Sequence, residues 1–160
     1  METVIFEGAG AISTLPVGTF KDCVSLKNIT LPNSVTEIGS YAFYNCRSLQ
    51  SITLPTRLKS IWDGAFRGCS SLTSITLPNT LETIYTEAFL DCTSLTSIVI
   101  PSSVISVTAS FYGCGNLTSA TIEDVNDWMI GTCLVDANDL RDTYKASLYL
   151  RALSIQKPAE

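Results

Sequence analysis

FRGCSSLTSITLP, residues 66–78, is one of five copies of a single sequence in this chain. The other copies are FKDCVSLKNITLP (20–32), FYNCRSLQSITLP (43–55), FLDCTSLTSIVIP (89–101) and FYGCGNLTSATI (111–122). Phenylalanine and cysteine recur together every 23 residues, except for a last interval of 22. A fixed period of this length predicts a solenoid, in which one structural unit is stacked repeatedly and is stable only against its neighbours.

Each copy carries the pattern of a short strand with one buried face. In the first copy, apolar Leu26, Ile29 and Leu31 alternate with polar residues at the inner positions. One such strand per repeat makes a parallel sheet whose neighbours lie about 4.8 Å apart. Proline cannot donate to the hydrogen-bond ladder, so it ends the strand in each of four repeats. These prolines are Pro32, Pro55, Pro78 and Pro101.

The rest of each repeat is predicted to return along the opposite side of the core. Two apolar residues three positions apart follow each proline, for example Leu58 and Ile61 after Pro55, and should line a second wall. An Ala-Phe pair with a cysteine three residues later fits a short helical turn that places the ring between the walls. We expect the rings of the five repeats to stack as a spine. They are Phe20, Phe43, Phe66, Phe89 and Phe111.

The composite pattern LxSIxLPxxLxxIxxxAFxxC resembles the leucine-rich repeats of the BspA-like, or Treponema pallidum, type over roughly residues 11–122. The resemblance implies a leucine-rich-repeat solenoid of the α/β repeat type with about five 23-residue repeats. It places a short parallel β-sheet on one face, and short helical turns and extended segments on the other.

Two domains are predicted, a solenoid over residues 1–122 and a capping or interrupting segment over 123–160. Residues 1–22 are interpreted as a degenerate first repeat, with Phe6 in register and Ala9 where the proline belongs. In the BspA-like family a segment with a tryptophan, a short helix and an LYL strand often interrupts the array. VNDWMI (125–130) and SLYL (147–150) resemble a reduced form of it, although SLYLRALSI suits either a helix or a strand.

Composition excludes several functions. The chain has 160 residues, 46% of them hydrophobic and 16% charged, which is ample for a buried core. Its net charge of −5 and the absence of a basic cluster argue against nucleic-acid binding. METVIFEGAG is not a signal peptide, and no stretch reaches the roughly 18 apolar residues of a membrane span. We therefore predict no direct membrane insertion.

The cysteine pattern and the absence of histidine argue against an enzyme and against a metal site. Five cysteines occupy one equivalent position, so their side chains should run parallel, about 4.8 Å apart, which is unfavourable for disulfides. Without histidine there is no imidazole base and no typical zinc set, and DANDLRD (136–142) lacks the glycine and terminal glutamate of a calcium loop. We predict no enzyme activity, no metal site and no cofactor. Cys133 lies outside the ladder, and its role stays open.

Two groups of surface residues are candidate contacts. The outward positions of the predicted strands form an almost uncharged array that can hydrogen-bond a polar ligand or can simply suit stacked strands. These are Asn28, Thr30, Ser51, Thr53, Ser74, Thr76, Ser97, Ser119 and Thr121. In the turns, where the repeats differ most, aromatic and arginine side chains are the residue types that protein partners contact. These are Trp62, Tyr85, Tyr44, Arg67 and Tyr112.

We interpret the chain as a non-enzymatic binding or adhesion module that recognises a protein, glycan or other polymeric ligand through the repeat surface. The BspA-like resemblance implies a place at the cell surface or in a secreted protein, as part of a longer parent. The alternatives are an intracellular interaction scaffold, which places the chain in the cytoplasm, and a purely structural segment of a longer array. An uncovered end or edge of a parallel solenoid is also a place where two copies could associate.

Overall fold

The computed structural model describes residues 3–4, 12–130 and 133–158, with only the backbone for Thr3, Val4 and Cys133. The strands are β1 (Thr3–Val4), β2 (Thr14–Leu15), β3 (Asn28–Thr30), β4 (Glu37–Ile38), β5 (Ser51–Thr53), β6 (Ser60–Ile61), β7 (Thr83–Ile84), β8 (Ser97–Ile100), β9 (Ser106–Val107), β10 (Ser119–Ile122), β11 (Met129–Ile130), β12 (Cys133–Leu134) and β13 (Ile155–Gln156). The helices are α1 (Ala137–Arg141) and α2 (Thr143–Ala152).

The predicted parallel sheet is present and is interrupted once. β1, β3 and β5 pair in parallel, and so do β8 and β10. The β3–β5 and β8–β10 pairs have the register set by the repeat. Residues 74–76 of the third repeat belong to no strand, yet Ile75 and Leu77 remain buried. The inward apolar pattern is therefore kept in every repeat, whereas the hydrogen-bond ladder of this first sheet is not continuous.

The returning arm forms a second sheet, which is the more continuous of the two. β2, β4, β6, β7 and β9 pair in parallel, so Ile38, Ile61, Ile84 and Val107 lie side by side in the core. β13, β11 and β12 then extend the same sheet in antiparallel order. The wall that the sequence predicts is thus a sheet made of two-residue strands.

The expected helical turn around each phenylalanine is instead a run of β-turns. Ala42 donates its N–H to Gly39 within its own repeat, whereas Phe43 donates to Ala65 of the next repeat. A helix would direct each of these N–H groups to the residue four positions earlier. Here alternate N–H groups tie neighbouring repeats together. Residues with positive φ recur at two positions of this segment, for example Tyr41 and Asn45, and break the right-handed winding.

The interior confirms the predicted spine and the predicted thiol ladder. Neighbouring phenylalanine rings stack with centroids 5.0 to 5.2 Å apart, and the four from Phe43 to Phe111 are fully buried. Each thiol after the first donates to a phenylalanine carbonyl of the preceding repeat, as Cys69 does to Phe43 over 3.2 Å. The five ladder cysteines, Cys23, Cys46, Cys69, Cys92 and Cys114, are free thiols.

Burial raises the pKa of the last two ladder thiols, Cys92 and Cys114, whereas a hydrogen bond with the Cys69 thiol lowers the pKa of Cys46. Loss of solvation raises the pKa of the Cys114 thiol to about 12 and raises that of Cys92 well above its usual value. A thiolate at these positions would face the neighbouring thiol and an unsolvated interior. The ladder therefore behaves as a column of small apolar groups with weak hydrogen-bond donors.

The fifth repeat is one residue shorter than the others, and a buried serine hydroxyl lies in the turn where the residue is missing. Ser110 occupies the position that alanine holds in the three preceding repeats and is fully buried. Its Oγ–H lies 2.7 Å from the carbonyl oxygen of Tyr85 and 3.0 Å from that of Thr108. The serine therefore places a donor beside carbonyls in the turn where the chain is one residue short.

The C-terminal cap, which we define as the described residues from 123 to 158 with β11, β12, α1, α2 and β13, covers one end of the core. Both helices pack against β10, and β13 pairs with β9. Trp128 is 1% exposed, and its indole N–H donates to the carbonyl of Asp124 over 2.6 Å. Lys157 forms an ion pair with Asp124, which lowers the pKa of that carboxyl group. Beyond β9, the second sheet continues through the antiparallel strands of the cap.

Two expectations for the chain ends need correction. The SLYL segment lies in α2 and is not a strand, because Asp142 accepts hydrogen bonds from Tyr144 and Lys145 and so begins a helix there. At the other end, β1 pairs Val4 with Ile29, two residues earlier than the 23-residue period places Phe6. Phe6 and Ala9 themselves lie outside the described residues.

Candidate functional site

The outward side chains of the first sheet form a face of hydroxyl groups, which we call the hydroxyl face. It comprises Asn28, Thr30, Ser51, Thr53, Ser74, Thr76, Ser97, Ser119 and Thr121. All of them are exposed except Ser119, which is partly exposed. Ser51 donates to Asn28 over 2.7 Å, so part of its hydrogen-bonding capacity is used within the face. The hydroxyl face carries no charge and no ring, and Val99 interrupts it.

The second sheet presents a different outer surface, built from two neighbouring columns. The register of β2, β4, β6, β7 and β9 aligns Thr14, Glu37, Ser60, Thr83 and Ser106 in the first column. Two residues further along each strand, the second column contains Pro16, Gly39, Trp62, Tyr85 and Thr108. The N–H groups at 39, 62, 85 and 108 each donate to the preceding rung, which fixes the second column as firmly as the first.

Trp62 and Tyr85 stack on one another in the second column. Their ring centroids are 4.3 Å apart and their planes differ by 3°. Both side chains are partly exposed, so the stack lies at the surface and not in the core. The sequence predicts these two residues as contacts, and the structure places them together at the end of β6 and β7.

A second aromatic pair lies in the adjoining turns. Tyr41 and Tyr44 meet edge to face with centroids 5.9 Å apart. Lys21 and Arg67 lie over the Tyr44 ring at 5.3 and 5.8 Å, and Arg67 also forms an ion pair with Glu87. We call the group Tyr41, Tyr44, Trp62, Arg67 and Tyr85 the aromatic surface.

Tyr41 is the member that reasoning from the sequence missed. It is 40% exposed and has a positive φ of 57° at a position where two other repeats have glycine. Its ring lies over the next repeat, because a Cβ added to Gly64 would be 2.6 Å from Tyr41 Cε1. A large side chain in a column that favours glycine is the signal that could have identified it.

The remaining candidate, Tyr112, is 65% exposed and stands apart from this group. It occupies the same column as Tyr44 and Arg67, but the rung of Leu90 separates it from Arg67. The structure therefore places the predicted turn residues in two pairs, Trp62 with Tyr85 and Tyr44 with Arg67, and Tyr112 belongs to neither.

A shallow cavity of about 290 Å³ lies on the C-terminal cap, lined by Asp139, Lys145, Leu148, Tyr149, Ala152 and Leu153. In the described part of the chain, no three histidine, cysteine, aspartate or glutamate side chains are grouped to hold a metal ion. Neither described helix has the length and apolarity needed to cross a membrane.

The comparisons with known proteins agree with this architecture. Residues 13–134 match the BspA type leucine rich repeat region in six copies. A leucine-rich-repeat protein of T. pallidum is 33% identical, with a TM-score of 0.67, over 75% of this chain and 57% of its own. A leucine-rich cell surface protein of Faecalibacterium prausnitzii is 32% identical, with a TM-score of 0.70, over 76% of this chain and 31% of its own.

A leucine-rich-repeat protein from Bacteroides ovatus is 30% identical, with a TM-score of 0.59, over 69% of this chain and 35% of its own. No curated protein matches the sequence. The chain thus spans between about a third and just over half the length of these solved structures. Both the family match and the repeated LxSIxLP and AFxxC positions lead to one conclusion: the chain belongs to the BspA-type leucine-rich-repeat family.

Proposed function

We propose that this chain is a non-enzymatic binding module that attaches to a protein partner through the aromatic surface. The observation that carries the proposal is the grouping of Tyr41, Tyr44, Trp62 and Tyr85 on consecutive repeats, all partly or fully exposed. Tyrosine, tryptophan and arginine dominate the energetics of protein interfaces because they bury a large area and keep a polar group. Packing of the core does not require these rings at the surface.

The hydroxyl face supports this function less well. Its side chains are short and uncharged, and such residues contribute little to the energetic centre of protein interfaces. They are also nearly identical from one repeat to the next, as expected when a residue suits a strand position. A specific partner is more readily distinguished by a surface on which adjacent repeats differ.

The relatives suggest where such a module acts. The Faecalibacterium prausnitzii relative is described as a cell surface protein, and leucine-rich-repeat proteins generally bind proteins. We therefore place this chain at the cell surface, in adhesion to a protein. The chain has no histidine and so no imidazole base, which favours binding over catalysis.

A peptide-display selection tests the proposal. A library of random 12-residue peptides is panned on the immobilised chain, and the recovered peptides are measured against two double variants. Trp62→Ala/Tyr85→Ala removes the stacked rings, and Ser51→Ala/Thr53→Ala is the matched control on the hydroxyl face. We expect the first variant to weaken binding at least about tenfold and the second to leave it unchanged.

Thermal unfolding of both variants should first show that the fold is retained, since all four side chains lie at the surface. Peptides that lose affinity for the hydroxyl-face variant and keep it for the Trp62/Tyr85 variant would reject the aromatic surface as the site. A glycan array probed with the wild type and the two double variants tests the alternative that the ligand is a glycan. Binding there that depends on Ser51 and Thr53 would also contradict the proposal.

A further inference from the structure

One column of the turns has a positive φ in all five repeats. The column lies two residues before each spine phenylalanine, and its φ values run from 43° to 66°. It contains Gly18, Tyr41, Gly64, Glu87 and Ala109. Glycine adopts a positive φ without a steric penalty, whereas other residues adopt it under strain. The backbone therefore favours glycine in this column, and Tyr41 and Glu87 are large departures from it.

The hydrogen bonds between rungs do not require a side chain in this column. Gly18, Tyr41 and Gly64 each donate their N–H to a carbonyl of the following repeat, over 2.9 to 3.0 Å. The two glycines thus make the same backbone contact as the tyrosine between them. The side chains of Tyr41 and Glu87 are therefore not needed to build the turn, and their contacts indicate another role.

The Tyr41 side chain holds the Tyr44 ring from one side. The two rings meet edge to face, with centroids 5.9 Å apart and planes at 81°. The Tyr41 ring also lies against Gly64 of the next repeat, where an added Cβ would be 2.6 Å from Cε1 and 2.7 Å from Cδ1. A ring packed this closely on the backbone is restricted in its rotamers. Tyr41 is thus a fixed wall beside Tyr44.

The Glu87 side chain holds the Arg67 guanidinium. Glu87 Oε2 accepts a hydrogen bond from Arg67 Nη1 over 2.5 Å, and Arg67 Cζ lies 5.8 Å from the centroid of the Tyr44 ring. The two charged side chains are 37% and 38% exposed, and ion pairs at such surfaces contribute little to stability. The ion pair therefore fixes the direction of Arg67 more than it stabilises the repeat.

We propose that Tyr41 and Glu87 determine the specificity of the aromatic surface by holding Tyr44 and Arg67 in one orientation for the partner; this rests on the function proposed above. Backbone strain of this kind persists at binding sites, where it serves to position side chains. Side chains that are ordered before binding lose less conformational entropy in the complex. Tyr41 and Glu87 thus act as positioning residues, and Tyr44 and Arg67 contact the partner.

Two glycine variants separate positioning from stability. Glu87→Gly and Ala109→Gly both relieve a positive φ, so both should unfold at the same temperature as the wild type or at a higher one. The probes are the 12-residue peptides recovered by panning on the wild type. We expect Glu87→Gly to weaken their binding about threefold to tenfold, and Ala109→Gly, the matched control outside the aromatic surface, to leave it unchanged. Equal affinities in the two variants would overturn the inference.

Conservative replacements test the two side chains separately. Tyr41→Phe keeps the ring on Gly64 and should retain the wild-type affinity, whereas Tyr41→Ala removes the ring and should weaken binding as Glu87→Gly does. Glu87→Gln keeps an acceptor for Arg67 and should recover part of the affinity that Glu87→Gly loses. Equal affinities of Tyr41→Phe and Tyr41→Ala, or of Glu87→Gln and Glu87→Gly, would contradict a positioning role.

The order of Arg67 can be measured without any peptide. The heteronuclear NOE of the Arg67 Nε–H group in ¹⁵N NMR should fall in Glu87→Gly and keep its wild-type value in Ala109→Gly, because only the first variant releases the guanidinium. An unchanged value in Glu87→Gly would show that the Tyr44 ring alone holds Arg67, and would reject the role of Glu87.

Repeated panning distinguishes this inference from the function on which it rests. A selection on Glu87→Gly should yield a different peptide consensus from a selection on the wild type. The same consensus, in peptides that still need Trp62 and Tyr85, would reject the specificity-determining role and leave the proposed function standing. Peptides that bind Trp62→Ala/Tyr85→Ala as tightly as the wild type would reject the proposed function itself.

Discussion

The repeats and the C-terminal cap hold the same core together in different ways. In the repeats, each layer is fixed by identical contacts, namely a ring on a ring, a thiol on a carbonyl, and an N–H to the next rung. In the cap, each contact occurs once, as with the Trp128 indole on Asp124 and the Lys157 ion pair. Repetition distributes stability over equivalent interfaces, whereas the cap depends on individual side chains.

This difference predicts that the stability of the cap depends on the repeats more than the stability of the repeats depends on the cap. The buried residues of the cap, such as Leu140, Leu150 and Ile155, belong to the same cluster as the repeat interior and form no separate core. The cap should therefore unfold whenever the repeats do, while the repeats can survive fraying of the cap. Each region holds one tryptophan, Trp62 in the repeats and Trp128 in the cap. Single-tryptophan proteins made by Trp→Phe replacement can report on each region separately.

The largest effect is expected from removing one ring of the spine. Phe66 is fully buried between Phe43 and Phe89, so Phe66→Ala leaves a large cavity and should lower the free energy of unfolding by about 3–5 kcal/mol. Urea denaturation followed at Trp62 and at Trp128 should show both signals moving together to lower urea concentration. Phe20→Ala removes a ring that is partly exposed and should cost clearly less.

A Trp128 signal that kept its wild-type midpoint in Phe66→Ala would show that the cap has a core of its own. That result would remove the asymmetry between the two regions. Equal losses from the Phe66 and Phe20 replacements would show that the partly exposed ring is held as firmly as the fully buried one.

A smaller effect is expected at the one irregular repeat. Ser110→Ala restores the residue that the three preceding repeats carry, but it removes the donor to the Tyr85 carbonyl and should cost about 1–3 kcal/mol. The reciprocal change, Ala88→Ser, introduces a buried hydroxyl into a repeat of full length and should also destabilise. Urea denaturation measures both. A stabilising Ser110→Ala would show that the repeat consensus outweighs the local hydrogen bonds.

The sequence alone predicts what is periodic. The phenylalanine spine, the unbridged thiols and the outward hydroxyl face follow from positions that recur at a fixed interval, because stacking places equivalent residues in one column. The second sheet was harder to predict from the sequence. Its strands are two residues long, as in Ser60–Ile61, which is too short for alternation to show, and the turns that follow share the three-residue spacing of a helical turn.

The aromatic surface could be predicted only in part. The repeats differ at the columns that contain Trp62, Tyr85, Tyr44 and Arg67, which is why the sequence identifies these residues. It does not show which of them are in contact. Tyr41 was missed because its ring reaches over Gly64 of the following repeat, a contact set by backbone conformation. In the cap, the helix at residues 143–152 depends on Asp142, an N-cap signal that the alternating pattern of SLYLRALSI obscured.

Alkaline pH should weaken the repeats through the buried thiols. The pKa of Cys114 is raised to about 12 in the folded chain, against about 8.5 in an unfolded one. The neutral thiol is favoured by folding, so its contribution is complete below about pH 8.5 and is lost as pH rises toward 12. From Cys114 alone, the free energy of unfolding should fall by about 1.4 kcal/mol per pH unit in that window.

Cys92 acts in the same direction, since burial raises its pKa too. A hydrogen bond between the Cys46 and Cys69 thiols raises the pKa of Cys69 and lowers that of Cys46, so this pair acts in opposite directions. Urea denaturation at pH 8 and pH 10 measures the slope. Cys114→Ala is the control, and its stability should depend less steeply on pH over this interval than that of the wild type. An unchanged slope in Cys114→Ala would mean that this thiol does not carry the dependence.

The smallest and most local effect is expected at the start of α2. The Asp142 carboxylate accepts hydrogen bonds from the N–H groups of Tyr144 and Lys145, both over 3.0 Å, so Asp142→Ala should destabilise the helix by about 1 kcal/mol. Amide hydrogen exchange should become faster within Thr143–Ala152 and stay unchanged in the turns around Phe66. In Phe66→Ala, by contrast, both regions should lose protection from exchange.

Asp142→Asn separates the hydrogen bonds from the charge, because asparagine caps helices about as well as aspartate does. It should preserve nearly all of the protection that Asp142→Ala loses. If the two variants are equally harmful, the carboxylate acts through its charge at the helix N-terminus and not as an acceptor. If instead Asp142→Ala also accelerates exchange around Phe66, the repeats need the cap as much as the cap needs the repeats, because uncovering β10 would then loosen the stack from its end.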